Sequence, residues 1–142
     1  MSLWKIPMLF YCRPKIIHLD DDSIKVKIRL KRRVKNHLGS MYLGALTIGA
    51  DITSGYFAFH HLQKNNQKIS LIFKDIHADF YRRAMSDVVF ECSQGLEIQN
   101  MIKESMQTKQ RVNFPVNVFA SVPSISKDNI AKFILTLSVK VK

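Results

Sequence analysis

One carboxylate stands out in the sequence because its surroundings are apolar. Asp51 is the only residue between positions 39 and 59 whose side chain is charged at neutral pH. A carboxylate in such a segment is unfavourable unless it is paired, hydrogen-bonded or hydrated. One interpretation is a carboxylate on the floor of a pocket, with a pKa raised by loss of water, that acts as a nucleophile or general base. The other is structural: the residue caps a short helix over 52–54, or faces solvent at a break near Gly49 and Gly55. The residues alone leave both open.

No other group of side chains has the spacing of a catalytic or metal-binding motif. The two cysteines, Cys12 and Cys92, are too few for a disulfide framework and lack the spacing of a metal site. The five histidines form no ligand pattern, and the adjacent pair His60 and His61 is predicted to be solvated at a helix end. We therefore expect no metal and no bound cofactor, and a reducing, cytoplasmic environment.

The segment that carries Asp51 is predicted to be a long buried helix. From Ser40 to Leu62 the chain is apolar on almost every side, which is typical of a helix inside a core. A glycine within a helix is about 1 kcal/mol less favourable than alanine. Glycines in this region therefore indicate close backbone contact with a sheet or a second subunit. They are Gly39, Gly44, Gly49 and Gly55.

Segments of alternating polarity on both sides of this helix predict β-strands. The predicted strands cover residues 15–19, 24–30, 68–81, 87–92, 111–122 and 132–142. The third of them has a predicted bulge or bend near Asp75, and Pro115 favours an edge or a bulge in the fifth. Helical spacing of apolar residues predicts a second, half-exposed helix over 96–107.

Length and composition fit one α+β domain over residues 1–142, in which a curled antiparallel sheet wraps around one long buried helix. The longest apolar run lies in that helix and is shorter than the roughly 20 residues of a membrane span. Residues 1–13 are predicted to form an N-terminal helix or arm, because Lys5 and Pro7 interrupt the apolar run of a signal peptide. Its apolar residues that we expect to cover the core are Trp4, Met8, Leu9 and Phe10.

The segment from Asn36 to Asp51 resembles a known signature. Hotdog-fold acyl-CoA thioesterases similar to the phenylacetyl-CoA thioesterase group have an Asn, a Gly three positions later, a His-Gly-Gly turn entering the central helix, and an acidic residue nine positions after the His. Asn36, Gly39, Gly44 and Asp51 stand at matching places, and Tyr42 replaces the His. The stretch NHLGSMYLGAL is closer still to the thioesterase-like branch catalogued as domain of unknown function 4442.

The resemblance implies a hotdog fold, an acyl-CoA thioester as substrate, and a role for each matching residue. Asp51 would be the general base or the nucleophile. The backbone N–H of Gly44, in the first helical turn, would hold the thioester oxygen, and Asn36 would orient water or the acyl carbonyl. Tyr42 can donate a hydrogen bond but cannot replace imidazole near neutral pH. Ser70, early on the strand after the helix, lies where relatives place an assisting hydroxyl.

The charge predicts an attraction for anions. The net charge is +11, which would draw in coenzyme A, an acidic carrier protein, nucleic acid or an anionic membrane surface. Arg82 and Arg83 are the candidates for binding the coenzyme phosphates, although each also fits a solvated surface charge. The strand over 24–30 has one basic face, formed by Lys25, Lys27, Arg29 and Lys31. Because this face lacks interleaved aromatic residues that stack on bases, we expect no specific nucleic-acid binding.

Two functions from different classes are therefore considered. The first is hydrolysis of an acyl-CoA thioester, with coenzyme A as part of the substrate, at the interface of a homodimer or dimer of dimers, because hotdog relatives pair their sheets. The second is a non-catalytic module that binds acyl chains, an acyl carrier protein or an anionic surface, in which Tyr42 marks the loss of chemistry. The alternative interpretation of Tyr42 itself is a core aromatic at the helix start. A dehydratase of this fold is a weaker third option because it needs a His near the helix. A cavity at Asp51 beside the Gly44 amide would favour the first.

Overall fold

The computed structural model describes residues 5–64 and 68–142. The elements within these residues are, in chain order, α1 (Pro7–Tyr11), β1 (Lys15–Leu19), β2 (Ile24–Ile28), a short 3-10 turn (Arg32–Val34), α2 (Leu43–Leu62), β3 (Ile69–Phe80), β4 (Val88–Cys92), α3 (Gly95–Thr108), β5 (Val112–Ser121) and β6 (Asn129–Val141).

The strands of the described residues form one antiparallel sheet in the order β1-β2-β4-β5-β6-β3. The sheet curls around α2, which packs against β2, β4, β5 and β6. β1 and β3 are the edge strands. The predicted α+β layout, a curled antiparallel sheet around one long buried helix, is confirmed.

Both irregularities predicted within the strands are present. The pairing of β3 with β6 shifts register between Phe73 and Asp75, which confirms the predicted bulge. Pro115 pairs in regular register with Thr136 of β6. β4 reaches only residues 119–121 of β5, so β5 is locally an edge strand at Pro115. A proline is tolerated there because no neighbouring strand needs its missing N–H.

The central helix lies against the sheet at very short range. A Cβ at Gly49 would lie 2.2 Å from Cζ of the fully buried Phe90, so the predicted close approach to the sheet is confirmed at this glycine. The helix begins at Leu43 rather than at Ser40, because Tyr42 is extended (φ −64°, ψ 144°) and forms the N-cap.

Two predictions about exposure need correction. His61 is only 2 % exposed and packs on Phe57 with ring centroids 4.9 Å apart, so it is not solvated at the helix end. Burial, followed by the nearby positive charges, lowers the pKa of His61. In the N-terminal segment Leu9 is buried, but Met8 and Phe10 are exposed and do not cover the core. Trp4 lies outside the described residues.

Candidate active site

The first half of α2 has an open stripe that the protein's own sheet does not cover. Leu43 is 55 % exposed, and four further residues are half-buried: Gly44, Thr47, Ile48 and Asp51. Spacings of three and four residues place side chains on one face of a helix. Asp51 therefore lies at the inner end of an open stripe on a helix that is otherwise largely buried.

Asp51 faces a shallow pocket between α2 and the bulge of β3. The pocket has a volume of about 310 Å³, and its lining includes Thr47, Phe73, Lys74 and Asp75. Among the described residues no group donates a hydrogen bond to the Asp51 carboxylate. Burial therefore acts alone and raises the pKa of Asp51.

The continuous helix argues against the structural interpretation of Asp51. The segment from Leu43 to Leu62 is one helix, so Asp51 is nine residues into it and does not cap a second helix. Gly49 and Gly55 lie within this helix and do not break it; both are buried. A pocket, partial burial and a raised pKa are the features that we expected of a reactive carboxylate.

The start of α2 carries Tyr42 and Gly44. The Tyr42 N–H donates to the Val34 carbonyl (2.8 Å), and the Tyr42 carbonyl accepts from the Leu46 N–H (3.1 Å). The Tyr42 side chain is 57 % exposed, so the alternative interpretation of this residue as a core aromatic is wrong. Its ring lies over Gly44, where a Cβ would be 2.6 Å from Cε2. The Gly44 N–H is in the first turn, where helix geometry provides no intrahelical acceptor.

Asn36 builds the turn that leads into the helix. Its Oδ1 accepts from the N–H groups of Leu38 (2.9 Å) and Ser40 (3.1 Å), and its Nδ2 donates to Oγ of Ser40 (2.8 Å). Gly39 sits inside the same turn with φ +81°, a conformation that favours glycine. The Asn and the Gly of the signature thus position the helix start. The predicted role of Asn36 in orienting water or the acyl carbonyl stays a prediction, because the turn uses Oδ1 and one of the two Nδ2 hydrogens.

A second pocket, of about 430 Å³, opens where the stripe begins, and Asn36, Leu43 and Phe80 line it. The exposed arginines Arg82 and Arg83 also line this pocket. Arg82 Nη1 lies 3.3 Å from Oδ2 of Asp128, in an exposed ion pair that contributes little to stability. Both pockets lie between α2 and β3, and Leu43 and Asp51 are about 12 Å apart along the helix axis.

Ser70 is not brought to Asp51. Its neighbours Ile69 and Leu71 pair with the buried Val141 and Val139, so they share the face of the sheet that packs on the core. Because side chains alternate along a strand, Ser70 points to the other face, opposite α2. The prediction of an assisting hydroxyl at this position is therefore not supported.

Thr47 is a residue of this pocket that the sequence analysis missed. It lies one helical turn before Asp51 and lines the same pocket. Its Oγ1 donates to the Leu43 carbonyl (2.9 Å). The spacing of four residues from Asp51 is the signal that would have identified it.

Gly44 and Asp51 share the stripe but cannot meet at one atom. Seven residues separate them, which is a rise of about 10.5 Å along the helix. A base must lie within hydrogen-bonding distance of the group it activates, directly or through one water. The predicted cavity at Asp51 is present, but within one chain it does not lie beside the Gly44 amide.

Groups for other ligands are sparse near the site. No three His, Cys, Asp or Glu side chains within residues 5–64 and 68–142 are placed to hold a metal ion. In the same residues no helix has the length and apolar character needed to cross a membrane. The nearby cationic groups include Lys74 in the Asp51 pocket and Arg82 and Arg83 in the second pocket, and such groups suit an anionic ligand.

Comparisons with known proteins identify the fold. Similar solved structures include a protein of unknown function, named a probable thioesterase, from Pseudomonas aeruginosa (17 % identity, TM-score 0.80, 99 % of this chain and 91 % of that chain). A thioesterase family protein from Silicibacter pomeroyi (14 %, 0.73, 99 % and 94 %) and a protein of unknown function from Chlorobaculum tepidum (11 %, 0.85, 96 % and 88 %) are also similar. These likenesses confirm the hotdog fold.

A match to a family model of the sequence identifies the family of this chain. A search of curated proteins finds no match. The family model described as a domain of unknown function, DUF4442, matches residues 1–126, which include the whole segment from Asn36 to Asp51. The chain is therefore a member of the DUF4442 family.

Proposed function

We propose that the protein hydrolyses acyl-CoA thioesters on the open stripe of α2, with Asp51 as the reacting carboxylate. The observation that carries this proposal is a half-buried carboxylate, without a hydrogen-bond donor in the described chain, that faces a pocket from an apolar helix. Burial disfavours the charged form and makes the carboxylate a stronger base. The thioesterase names of the similar solved structures support the reaction class.

Two routes are open to this carboxylate. As a general base, Asp51 takes a proton from water, the hydroxide adds to the thioester carbonyl, and the C–S bond breaks. The thiolate then takes the proton, which gives free coenzyme A and a carboxylic acid. As a nucleophile, Asp51 attacks the carbonyl itself and expels the thiolate. Water then cleaves the resulting anhydride and restores the carboxylate.

The second pocket supports coenzyme A as the leaving group. Arg82 and Arg83 line it at the start of the stripe, and guanidinium groups bind phosphate oxygens through paired hydrogen bonds. The stretch of about 12 Å from Leu43 to Asp51 offers a path for the extended arm between phosphate and thioester. The net charge of +11 would draw such an anion from solution. An acidic acyl carrier protein would present the same thioester.

A second copy of the chain would complete the site. Asp51 and the Gly44 N–H are about 10.5 Å apart along one helix, but a two-fold axis would place Asp51 of one copy against Gly44 of the other. The edge strand β3 supports such pairing, because it exposes four large apolar side chains: Ile72 (52 %), Phe73 (36 %), Ile76 (47 %) and Phe80 (45 %). We therefore propose a homodimer as the active unit.

The test is release of free thiol from a panel of short, medium, long and aryl acyl-CoA substrates. We compare the wild type with Asp51→Asn and with the control Asp75→Asn. Asp75 lines the same pocket, but its Oδ1 accepts a hydrogen bond from Thr136 (2.6 Å) at an exposed position. We expect Asp51→Asn to lower kcat/KM at least about 100-fold and Asp75→Asn to stay near the wild type. Equal effects of the two substitutions would exclude Asp51 as the reacting group.

Binding without turnover is the second candidate function. Tyr42, which occupies the place of the family's His and is exposed at the helix start, is the observation that favours it. Saturable acyl-CoA binding by a wild type that releases no thiol from any substrate would identify this function. Tyr42→His would then be the variant in which to look for activity.

A further inference from the structure

Two cavities near α1 adjoin each other and differ in chemistry. The first, of about 490 Å³, lies between α1 and α2 and is lined mainly by apolar side chains such as Met8, Ala45 and Ile48. The second, of about 510 Å³, lies beside β1 and β2. Cys12 and Arg33 line both. A ligand could therefore extend from one cavity into the other past these two residues.

The second cavity has a large excess of positive charge. Its charged lining comprises Arg13, Lys15, Lys27, Arg29, Arg33 and Asp87. Asp87 is already engaged, because its Oδ1 accepts from the Leu30 N–H (2.8 Å) and its Oδ2 lies 3.7 Å from Nζ of Lys27. The remaining four cations form no ion pair within the part of the chain that the structure describes. An anion would relieve their mutual repulsion.

Arg33 stands at the junction with an unused donor. Its Nε is buried and has no acceptor among the described residues. A buried donor without a partner destabilises the fold, and a turn of the half-buried Arg33 side chain toward an anionic acceptor would remove that penalty. The Arg33 charge also affects Cys12: burial raises the pKa of the Cys12 thiol, and the guanidinium opposes this rise. The guanidinium is thus close to the thiol that lines both cavities.

We propose that the two cavities bind a single-chain anionic amphiphile, a fatty acid or an alkyl phosphate, with its head at Arg33 and its chain between α1 and α2. Carboxylate and phosphate both accept paired hydrogen bonds from a guanidinium. The apolar cavity removes the chain from water. An amphiphile whose charged head group is bonded directly to its alkyl chain fits this site, because the cationic and the apolar cavity meet at Arg33. Tyr42 and Gly44 of the proposed thioester site also line the apolar cavity, but binding of the amphiphile is measured without thioester turnover, so it can be tested separately.

Calorimetric titration of the full chain tests this proposal. The ligands are decanoate and decyl phosphate, both below their micelle concentrations, and decanol below its solubility limit. We expect saturable binding of the anions and at least about tenfold weaker binding of decanol, which lacks the charge. Octanoate should bind about 15-fold more weakly than decanoate, because two methylene groups fewer are buried. Tighter binding of the carboxylate would identify a fatty-acid site, and tighter binding of the phosphate a phospholipid-type site.

Two neighbouring arginines provide matched variants. Arg33→Gln removes the charge at the junction, whereas Arg32→Gln removes one from an exposed position on the same 3-10 turn. Arg33→Gln should weaken binding of both anions about tenfold or more and leave decanol unchanged, and Arg32→Gln should have little effect. Ala45→Leu, which fills the apolar cavity, should weaken all three ligands. The proposal fails if the wild type binds neither anion, or if the two arginine variants lose affinity equally.

Discussion

Alanine substitutions at Gly49 and Gly55 should change stability in opposite directions. Both positions lie inside α2, where alanine is about 1 kcal/mol more favourable than glycine. A Cβ at Gly55 would meet Phe73 Cζ at 3.4 Å and Asp51 Oδ1 at 3.8 Å, which are close to ordinary contact distances. Gly55→Ala should therefore raise the free energy of unfolding by up to about 1 kcal/mol.

At Gly49 the same methyl group has no room. It would lie 2.2, 2.3 and 2.6 Å from three atoms of the Phe90 ring. That ring is fully buried and packs on Phe133 with centroids 6.4 Å apart, so it cannot move into solvent. Overpacking of this kind destabilises by about 3 kcal/mol at the upper end of its usual range. After subtracting the helical gain of about 1 kcal/mol, we expect Gly49→Ala to lower the free energy of unfolding by about 2 kcal/mol.

Thermal and urea denaturation, followed by circular dichroism, measures both effects. The two variants should differ by about 3 kcal/mol, which corresponds to about 10 °C in Tm for a chain of this length. Adding Phe90→Leu to Gly49→Ala should cost less than the sum of the single substitutions, because the smaller side chain removes the overlap. A Gly49→Ala protein as stable as the wild type would refute the packing of Phe90 on the helix backbone.

Three further predictions concern stability. Burial raises the pKa of Asp51 above its ordinary 3.8, so the ionised carboxylate opposes folding. In thermal melts, Asp51→Asn should therefore be more stable than the wild type at pH 7. Below pH 3.8, where the carboxylate is protonated, it should not be. The pKa of His61 is lowered from 6.5, so protonation of His61 opposes folding. The wild type should therefore lose stability as the pH falls below 6.5, and in urea melts His61→Phe should lose less. A Cβ at Gly95 would lie 1.8 Å from the Asp21 carbonyl oxygen, so Gly95→Ala should cost about 3 kcal/mol by urea denaturation.

One experimental result would contradict each of these three predictions. An Asp51→Asn protein that is less stable than the wild type at pH 7 would show that the charged carboxylate has a favourable partner. Unchanged acid sensitivity in His61→Phe would show that other groups control it. A Gly95→Ala protein of normal stability would contradict the close contact between α3 and the turn between β1 and β2.

Features encoded by local periodicity could be predicted from the sequence. The apolar run around Asp51 identified α2, and alternating polarity identified the strands, because both patterns arise from the geometry of the element itself. The bulge near Asp75 was predictable because the alternation fails there. Asp51 was identified because a charge in an apolar helix is rare whatever surrounds it.

Features that depend on tertiary packing could not be predicted from the sequence. His61 looks like a polar helix end in sequence, and only its contact with Phe57 shows that it is buried. Ser70 follows the helix closely in sequence, yet the register of β3 points it away from α2. Arg33 belongs to a run of basic residues, and its place between two cavities depends on how α1 packs on α2 and where β1 and β2 lie.

A mixture of two inactive variants tests the proposed shared site most directly. Asp51→Asn removes the carboxylate, and Gly44→Pro removes the first-turn N–H at a position where proline is tolerated. Gly44→Ala is the control, because it keeps the N–H. Like proline, alanine adds a Cβ that requires the exposed Tyr42 ring to move.

The readout is thiol release from acyl-CoA by co-refolded chains. Each variant alone should be inactive, and Gly44→Ala should be active. Random pairing should make half of the dimers mixed, each with one intact site, and so restore about a quarter of the wild-type rate. Mixed dimers that form, as shown by mass, but release no more thiol than the two variants alone would contradict a site built from Asp51 of one copy and Gly44 of the other.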